Sequence, residues 1–300
     1  MSMTTLSEDQ ATSQLEHLRW PDGAACPFCR LHQVTKLNGK RHGFYQCNRC
    51  RKQFTVRTGT IFERSHVPLS KWFQAVHLLC ASKKGMSALQ VSRMLGVTYK
   101  TAWFLCHRIR HALNQGDLAR MTGTIEVDET YVGGIARNAK RGRGAPKKTP
   151  VVALVQRDGQ VRTRVVESVS AKNLRSAILE NVRREATIVT DEFSSYRGIG
   201  TLFKGGHHRV NHSKGRYVRG IIHTNTVESF FAVLKRGMVG SFHHVSKAHL
   251  HRYCDEFAFR WDTRKGTDAE RVEKALRLAE GKRLMYRSLI NGKATQTQAN

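Results

Sequence analysis

Carboxylates are scarce in this chain. Its 300 residues hold 23 Asp and Glu against 51 Lys and Arg, a formal net charge of +28 at pH 7. An excess of that size calls for an anionic partner, and nucleic acid is the first candidate. No apolar run approaches the roughly eighteen residues of a membrane span. The opening MSMTTLSEDQATSQLEHLRW has no apolar signal core. A basic membrane-surface protein should show an amphipathic anchor or a lipidation signal, and neither is present. The expectation is a cytoplasmic protein with access to DNA, nucleoid-associated in a prokaryotic host.

The few acids are also unevenly spread. Across the 62 residues from Phe193 to Cys254 the sole carboxylate is Glu228. Two readings compete for it. Asn225 or Thr224 can cap a helix that starts here, and Asn225 with Glu228 three residues on resembles a capping box. Glu228 would then only close a helix end, worth about 0.5–2 kcal/mol. The alternative is a functional carboxylate on a surface otherwise kept basic.

Seven Cys are present, four of them in the pairs Cys26, Cys29 and Cys47, Cys50, with 17 residues between the pairs. Each C-x-x-C turn can aim two thiolates at one metal, and four thiolates predict a closed structural zinc site. The stretch between the pairs reads as two short strands about an Asn-Gly-Lys turn. From Pro68 to about Leu118 the pattern turns helical. Trp72, Val76 and Leu79 share one face of a first helix. Gly96 then separates short helices over 88–95 and 99–112, with Thr98 as a cap for the second. That is helix-turn-helix spacing, which places Tyr99, Lys100 and Thr101 where base contacts would come from. An ordinary helical hairpin is the rival reading.

GTIEVDETYVGG (123–134) alternates like a strand, with Glu126, Asp128 and Thr130 on one face and Val127, Glu129 and Tyr131 on the other. A basic loop follows, with six Lys or Arg from Arg137 to Lys148, among them Arg141, Arg143, Lys147 and Lys148, which suit phosphate contacts. Two strands about Asp158-Gly159, a helix capped by Ser170, and a buried strand running into Asp191 complete the pattern. Three strands, helix, strand, helix, with acids at strand ends, is the ribonuclease H-like α/β order. Asp128, Asp191 and Glu228, from two strands and one helix, can hold two Mg²⁺ ions for an in-line displacement at phosphorus. Lys235, two helical turns after Glu228, can hold a phosphate near them.

VDETYVGG, TDEFSSYRG, VNHSKGRYVRG, HTNTVESFFAVLKRG and HHVSKAHLHRYCDEFAFRWDTR, in that order, resemble the insertion-sequence transposases that carry an N-terminal zinc ribbon, akin to the Merlin superfamily. The likeness runs from about residue 20 to about residue 265. It implies that Asp128, Asp191 and Glu228 are a DDE triad with Lys235 beside it. It implies Mg²⁺ or Mn²⁺ dependence, double-stranded DNA with terminal inverted repeats as substrate, target DNA as acceptor, and a homodimer or higher multimer on DNA. In relatives of this group the third ligand is sometimes Asn, so Asn225 is the alternative to Glu228. Tyr196 resembles the family's Asp-to-Tyr spacing, either to help activate water or to pack. The layout expected is a zinc ribbon over 18–62, a helical DNA-binding segment over 66–118, a ribonuclease H-like catalytic domain over 122–265, and a helical tail over 266–300 with a disordered end. A non-catalytic DNA-binding regulator and a metal-dependent nuclease of the same fold are the competing functions.

Overall fold

The computed structural model describes residues 6–37, 43–114, 119–133, 148–210 and 223–290. Two units emerge: Met1–Leu113 joined by Gly266–Asn300, and Asn114–Lys265.

The first unit opens with helix α1 (Glu8–Arg19), which the sequence reading does not include. Its start is a capping box in which the Ser7 hydroxyl takes the Gln10 amide and the Gln10 side chain returns to the Ser7 amide. Strands β1 (Val34–Lys36), β2 (Phe44–Cys47) and β3 (Gln53–Thr55) form an antiparallel ribbon in that order. Trp20, Tyr45 and Phe54 make its small core, with ring centroids 5.3–5.9 Å apart. The four sulfurs of Cys26, Cys29, Cys47 and Cys50 lie within 4.8 Å of one another. Zn–S bonds of about 2.3 Å in a tetrahedron require sulfurs about 3.8 Å apart. Cys26 to Cys50 is 3.7 Å and Cys29 to Cys47 is 3.5 Å, so the cluster fits zinc. The Cys50 amide donates to the Cys47 sulfur and holds that thiol down to about 6, toward the thiolate a metal needs. The Asn38-Gly39-Lys40 turn expected between the pairs lies outside the described residues.

Helices α2 (Leu69–Ala81), α3 (Ala88–Leu95) and α4 (Tyr99–Ala112) follow. Trp72, Val76 and Leu79 are buried along one face of α2. Gly96 ends α3 at φ +60°, a conformation only glycine takes cheaply, and the Thr98 hydroxyl caps α4. Helix α8 (Asp268–Arg277) starts on a capping box at Thr267. The segment after it closes on the first sixty residues: Glu280 bridges Thr60 and pairs with Arg19 at 3.0 Å, while Arg277 donates to the Leu18 carbonyl. Tyr286, in the short helix α9 (Tyr286–Ile290), packs edge-on against Trp103 and Phe104 of α4. Among the described residues no helix is long and apolar enough to cross a membrane.

In the second unit, β4 (Thr124–Val132), β5 (Thr149–Gln156) and β6 (Val161–Val165) form an antiparallel meander. Helix α5 (Ala171–Asn181) then crosses over, which lets β7 (Thr187–Thr190) lie parallel to β4. A short strand β8 (His207–Arg209) pairs parallel with β7, giving the order β6-β5-β4-β7-β8. This is the ribonuclease H-like arrangement. Three residues are too few for periodicity to reveal β8 in the sequence. Helices α6 (Asn225–Gly237) and α7 (Leu250–Asp262) cover the face opposite α5.

The alternation of β4 and β5 divides the core. Ile125, Val127, Val152 and Leu154 meet Leu174 and Ile178 of α5. Val151, Ala153 and Val155 meet Val227, Phe230, Phe231 and Leu234 of α6 and Phe257 of α7. Glu126 and Asp128 therefore face α6. Cys254 is buried on α7, and burial pushes its thiol well above the usual range, so it serves as packing.

Zinc and ribbon should stand or fall together. Cys47→Ser is expected to reduce bound zinc from about one per chain to near zero and to lower the melting temperature. Metal analysis and a thermal scan check both, and full zinc content in the variant would rule out the four-sulfur site.

Candidate active site

Strand pairing brings the first two acids together. Val127 of β4 pairs with Thr190, the last residue of β7, so Asp128 and Asp191 each come one residue after that final rung. Carboxylate oxygens of Asp128, Glu129 and Asp191 all lie within 4.8 Å of one another. Local bonds fix each one. Asp128 accepts the Glu129 amide at 2.8 Å, Asp191 accepts the Phe193 amide at 3.0 Å, and the Tyr196 hydroxyl donates to Glu129 at 2.8 Å. The cluster opens into a cleft of about 660 Å³ that Thr224 and Glu228 line from α6. There the Thr224 hydroxyl donates to the Glu228 carboxylate at 2.8 Å.

Electrostatics follow from this crowding. Asp128 is pushed up to about 7, first by burial and then by the charges of Glu129, Asp191 and Glu228, with the Glu129 amide pulling the other way. Burial and the neighbouring Glu129 raise Tyr196 well above the usual phenol range, so it stays a donor. Converging hard oxygen donors whose mutual repulsion raises a pKa suit a divalent cation, which would supply the missing counter-charge.

Asp128, Asp191 and Glu228 thus line one cleft, and Asn225, exposed at the first position of α6, is not among its lining residues. The capping box considered for Asn225 and Glu228 does not form. Thr224 is the N-cap, makes no side-chain cap bond, and stands four residues before Glu228. The cap comes instead from Glu126 on β4, whose carboxylate accepts the Thr226 and Val227 amides. Sequence alone cannot pair residues a hundred positions apart. Glu129 was also missed. Strand alternation does turn it toward Tyr196, away from α6, yet its carboxylate reaches the cluster.

The other expected residues lie elsewhere. Lys235 lines a separate hollow of about 110 Å³ with Tyr131, His243 and His244. Seven residues of helix carry it about 10 Å along α6 from Glu228. In the first unit Tyr99 and Lys100 are exposed at the start of α4 and Thr101 is half-buried, with the Lys100 ammonium 4.9 Å over the Tyr286 ring. Lys148 is half-buried just before β5, whereas Arg141, Arg143 and Lys147 lie outside the described residues.

Residues 120–262 match the family described as the ISXO2-like transposase domain, and residues 6–53 match the transposase zinc-ribbon domain. The chain is 30% identical over 292 residues to an uncharacterized protein in transposable element ISH50 of Halobacterium salinarum, covering 92% of this chain and 98% of that one. Two solved structures share a weaker likeness. A Mos1 transposase paired-end complex with left transposon end has a TM-score of 0.28 at 12% identity, covering 69% of this chain and 74% of that one. A pre-cleavage Mos1 transpososome has a TM-score of 0.27 at 13% identity, covering 71% and 80%. Overlap that slight carries no argument about this chain.

The raised Asp128 has a signed consequence. Between its ordinary value of 3.8 and about 7, the folded protein keeps a proton that the unfolded chain has released. Stability of the protein without divalent cation in the cleft therefore falls as pH rises through that window, and the cost is full above it. Asp128→Asn removes the cost. The variant should melt several degrees higher than the parent at pH 8, at about 2–4 °C per kcal/mol, and the gain should shrink by pH 5. Zinc-loaded protein free of other divalent ions is the sample, and an equal gain at both pH values would contradict the crowding.

Proposed function

As the chain belongs to the zinc-ribbon insertion-sequence transposases with an ISXO2-like transposase domain, we propose that it cuts DNA at terminal inverted repeats and joins the 3′ ends to target DNA. One observation carries the reading. In a chain of net charge +28, five acids from β4, the residues just after β7 and α6 line one cleft of a ribonuclease H-like sheet. Asp128, Asp191 and Glu228 hold the divalent cations, Mg²⁺ or Mn²⁺. When bound, such cations acidify a water or 3′-hydroxyl and neutralise charge growing on the leaving oxygen.

The residues of the chain do the rest. Asp128 must lose its proton to serve as a ligand, and its raised pKa couples that loss to cation binding. Tyr196 keeps Glu129 in place beside it. Thr224 orients Glu228 toward the cleft. Lys235, about 10 Å along the helix, is set to hold a phosphate further along the strand rather than the scissile one. The ribbon over 18–62 and the helices over 66–118 bind the DNA ends, while 122–265 carries the chemistry. Tyr99, Lys100 and Thr101 meet base edges, and the basic residues Arg141, Arg143, Lys147 and Lys148 meet phosphates. The protein works in the cytoplasm, at the nucleoid, as a homodimer or higher multimer on DNA.

The closeness of Glu129 to both aspartates supports a second reading, with Asp128, Glu129 and Asp191 as the ligand set. Cleavage and joining of a labelled terminal-repeat fragment with Mg²⁺ or Mn²⁺ separates the two. Asp191→Asn and Glu228→Gln should bind the fragment yet lose at least about a hundredfold in rate, while Glu129→Gln keeps measurable joining. Inactive Glu129→Gln beside active Glu228→Gln would favour the second set. Tight binding by the parent without cutting in either metal would point to a DNA-binding regulator, and cutting without joining to a nuclease. In the first unit, Tyr99→Ala and Thr101→Ala should narrow the preference for terminal repeat over random DNA by about 1–3 kcal/mol each, read in competition binding at fixed salt. An unchanged preference would remove α4 from base readout.

A further inference from the structure

The N-terminus of α6 is held by a residue that belongs to neither the cleft nor the helix. Glu126 is fully buried. Its carboxylate accepts the Thr226 amide at 2.8 Å, the Val227 amide at 3.1 Å, the Thr226 hydroxyl at 2.9 Å and Arg157 Nε at 2.8 Å. Arg157 also donates to the His223 carbonyl at 3.0 Å, and His223 Nδ1 lies 3.3 Å from Glu126 without hydrogen-bond alignment. A buried carboxylate is tolerated only with such partners, and here its charge also meets the positive end of the helix dipole. Both oxygens are filled by protein donors, so Glu126 is not itself a cation ligand.

The place of this node in the chain gives it a second consequence. Glu126 precedes Asp128 by two residues on the same face of β4. Thr226 and Val227 precede Glu228 by two and one. The apolar contacts of Val227, Phe230, Phe231 and Leu234 with β5 and α7 set how far α6 stands from the sheet. Such contacts are non-directional and permit sliding along the helix axis. Hydrogen bonds are directional, and a slide of α6 would break the three from Thr226 and Val227 to Glu126 together.

We propose that Glu126, with Arg157, is a positioning residue that fixes the register of α6 on β4 and so sets the separation of Asp128 and Glu228 that divalent-cation binding requires. The proposal rests on the cleft being the cation site described under Proposed function. Its first half, the anchoring of α6, does not.

The test uses the full-length, zinc-loaded protein in two arms. Without added cation, amide hydrogen exchange over 225–228 should speed up at least about tenfold in Glu126→Gln, while exchange in α5 stays as in the parent. With Mn²⁺, calorimetric affinity should fall about tenfold, the Mn²⁺ needed for half-maximal cleavage should rise by the same factor, and DNA binding should not change. If Glu126→Gln does not fold, Thr226→Val and Thr226→Ser decide: the first loses the hydroxyl bond and should weaken Mn²⁺ binding, and the second keeps it and should not. Unchanged exchange at 225–228 overturns the anchor. Parent-like Mn²⁺ affinity in Glu126→Gln, or in Thr226→Val where that pair decides, overturns the positioning role. A parent that binds no Mn²⁺, or Asp191→Asn binding it as tightly as the parent, overturns the cation-site reading and leaves the exchange arm to judge the anchor alone.

Discussion

Repulsion among carboxylates that cannot move apart is the constraint around which the second unit is arranged. Asp128 and Asp191 are pinned by the pairing of two parallel strands, and Glu129 by its bond to Tyr196. Asp128 and Asp191 each also accept a neighbouring backbone amide. The tension appears as a proton retained by Asp128 at a pH where an ordinary aspartate has long lost it. A site made this way has a strong drive to take up positive charge, and the rest of the chain supplies little that competes. Acids are few, and almost none follow in the long stretch that leads to and past Glu228.

The same sheet that concentrates charge on one side packs grease on both. Helix α5 packs on apolar residues of β4 and β5, and helices α6 and α7 on alternate residues of β5 with Val161 of β6. Apolar packing suits closure of a core but specifies poorly where along its length a helix rests. Polar groups at the margin supply that information. Glu126 at one end of α6 and the Thr224–Glu228 bond beside it are placed where a small displacement would be felt most in the cleft.

Much of this was legible in the residues. Periodicity placed α2, α3, α4 and α5 and the meander strands, because each buries a clear face. The spacing of Cys26, Cys29, Cys47 and Cys50 was readable because four thiolates at that interval have few other uses. Asp128 and Asp191 were visible from their strands. What stayed hidden depends on distant pairing. Glu129 looked like a residue of the opposite face, yet its carboxylate lies within 4.8 Å of Asp128 and Asp191. Thr224 and Asn225 were equally good caps on paper, and neither provides the side chain that caps the helix. Lys235, placed two turns after Glu228 by the spacing alone, lines a hollow with Tyr131, His243 and His244.

The N-terminal unit is discontinuous in the chain. Its ribbon and its α2–α4 helices come first, yet Glu280, Arg277 and Tyr286, which close against Thr60, Leu18 and α4, come after the whole sheet unit. On the ribosome this unit cannot be completed until the intervening residues have emerged. A chain that stops anywhere within the sheet unit carries an unfinished N-terminal half as well. Completion of that half therefore waits on residues translated after the cleft.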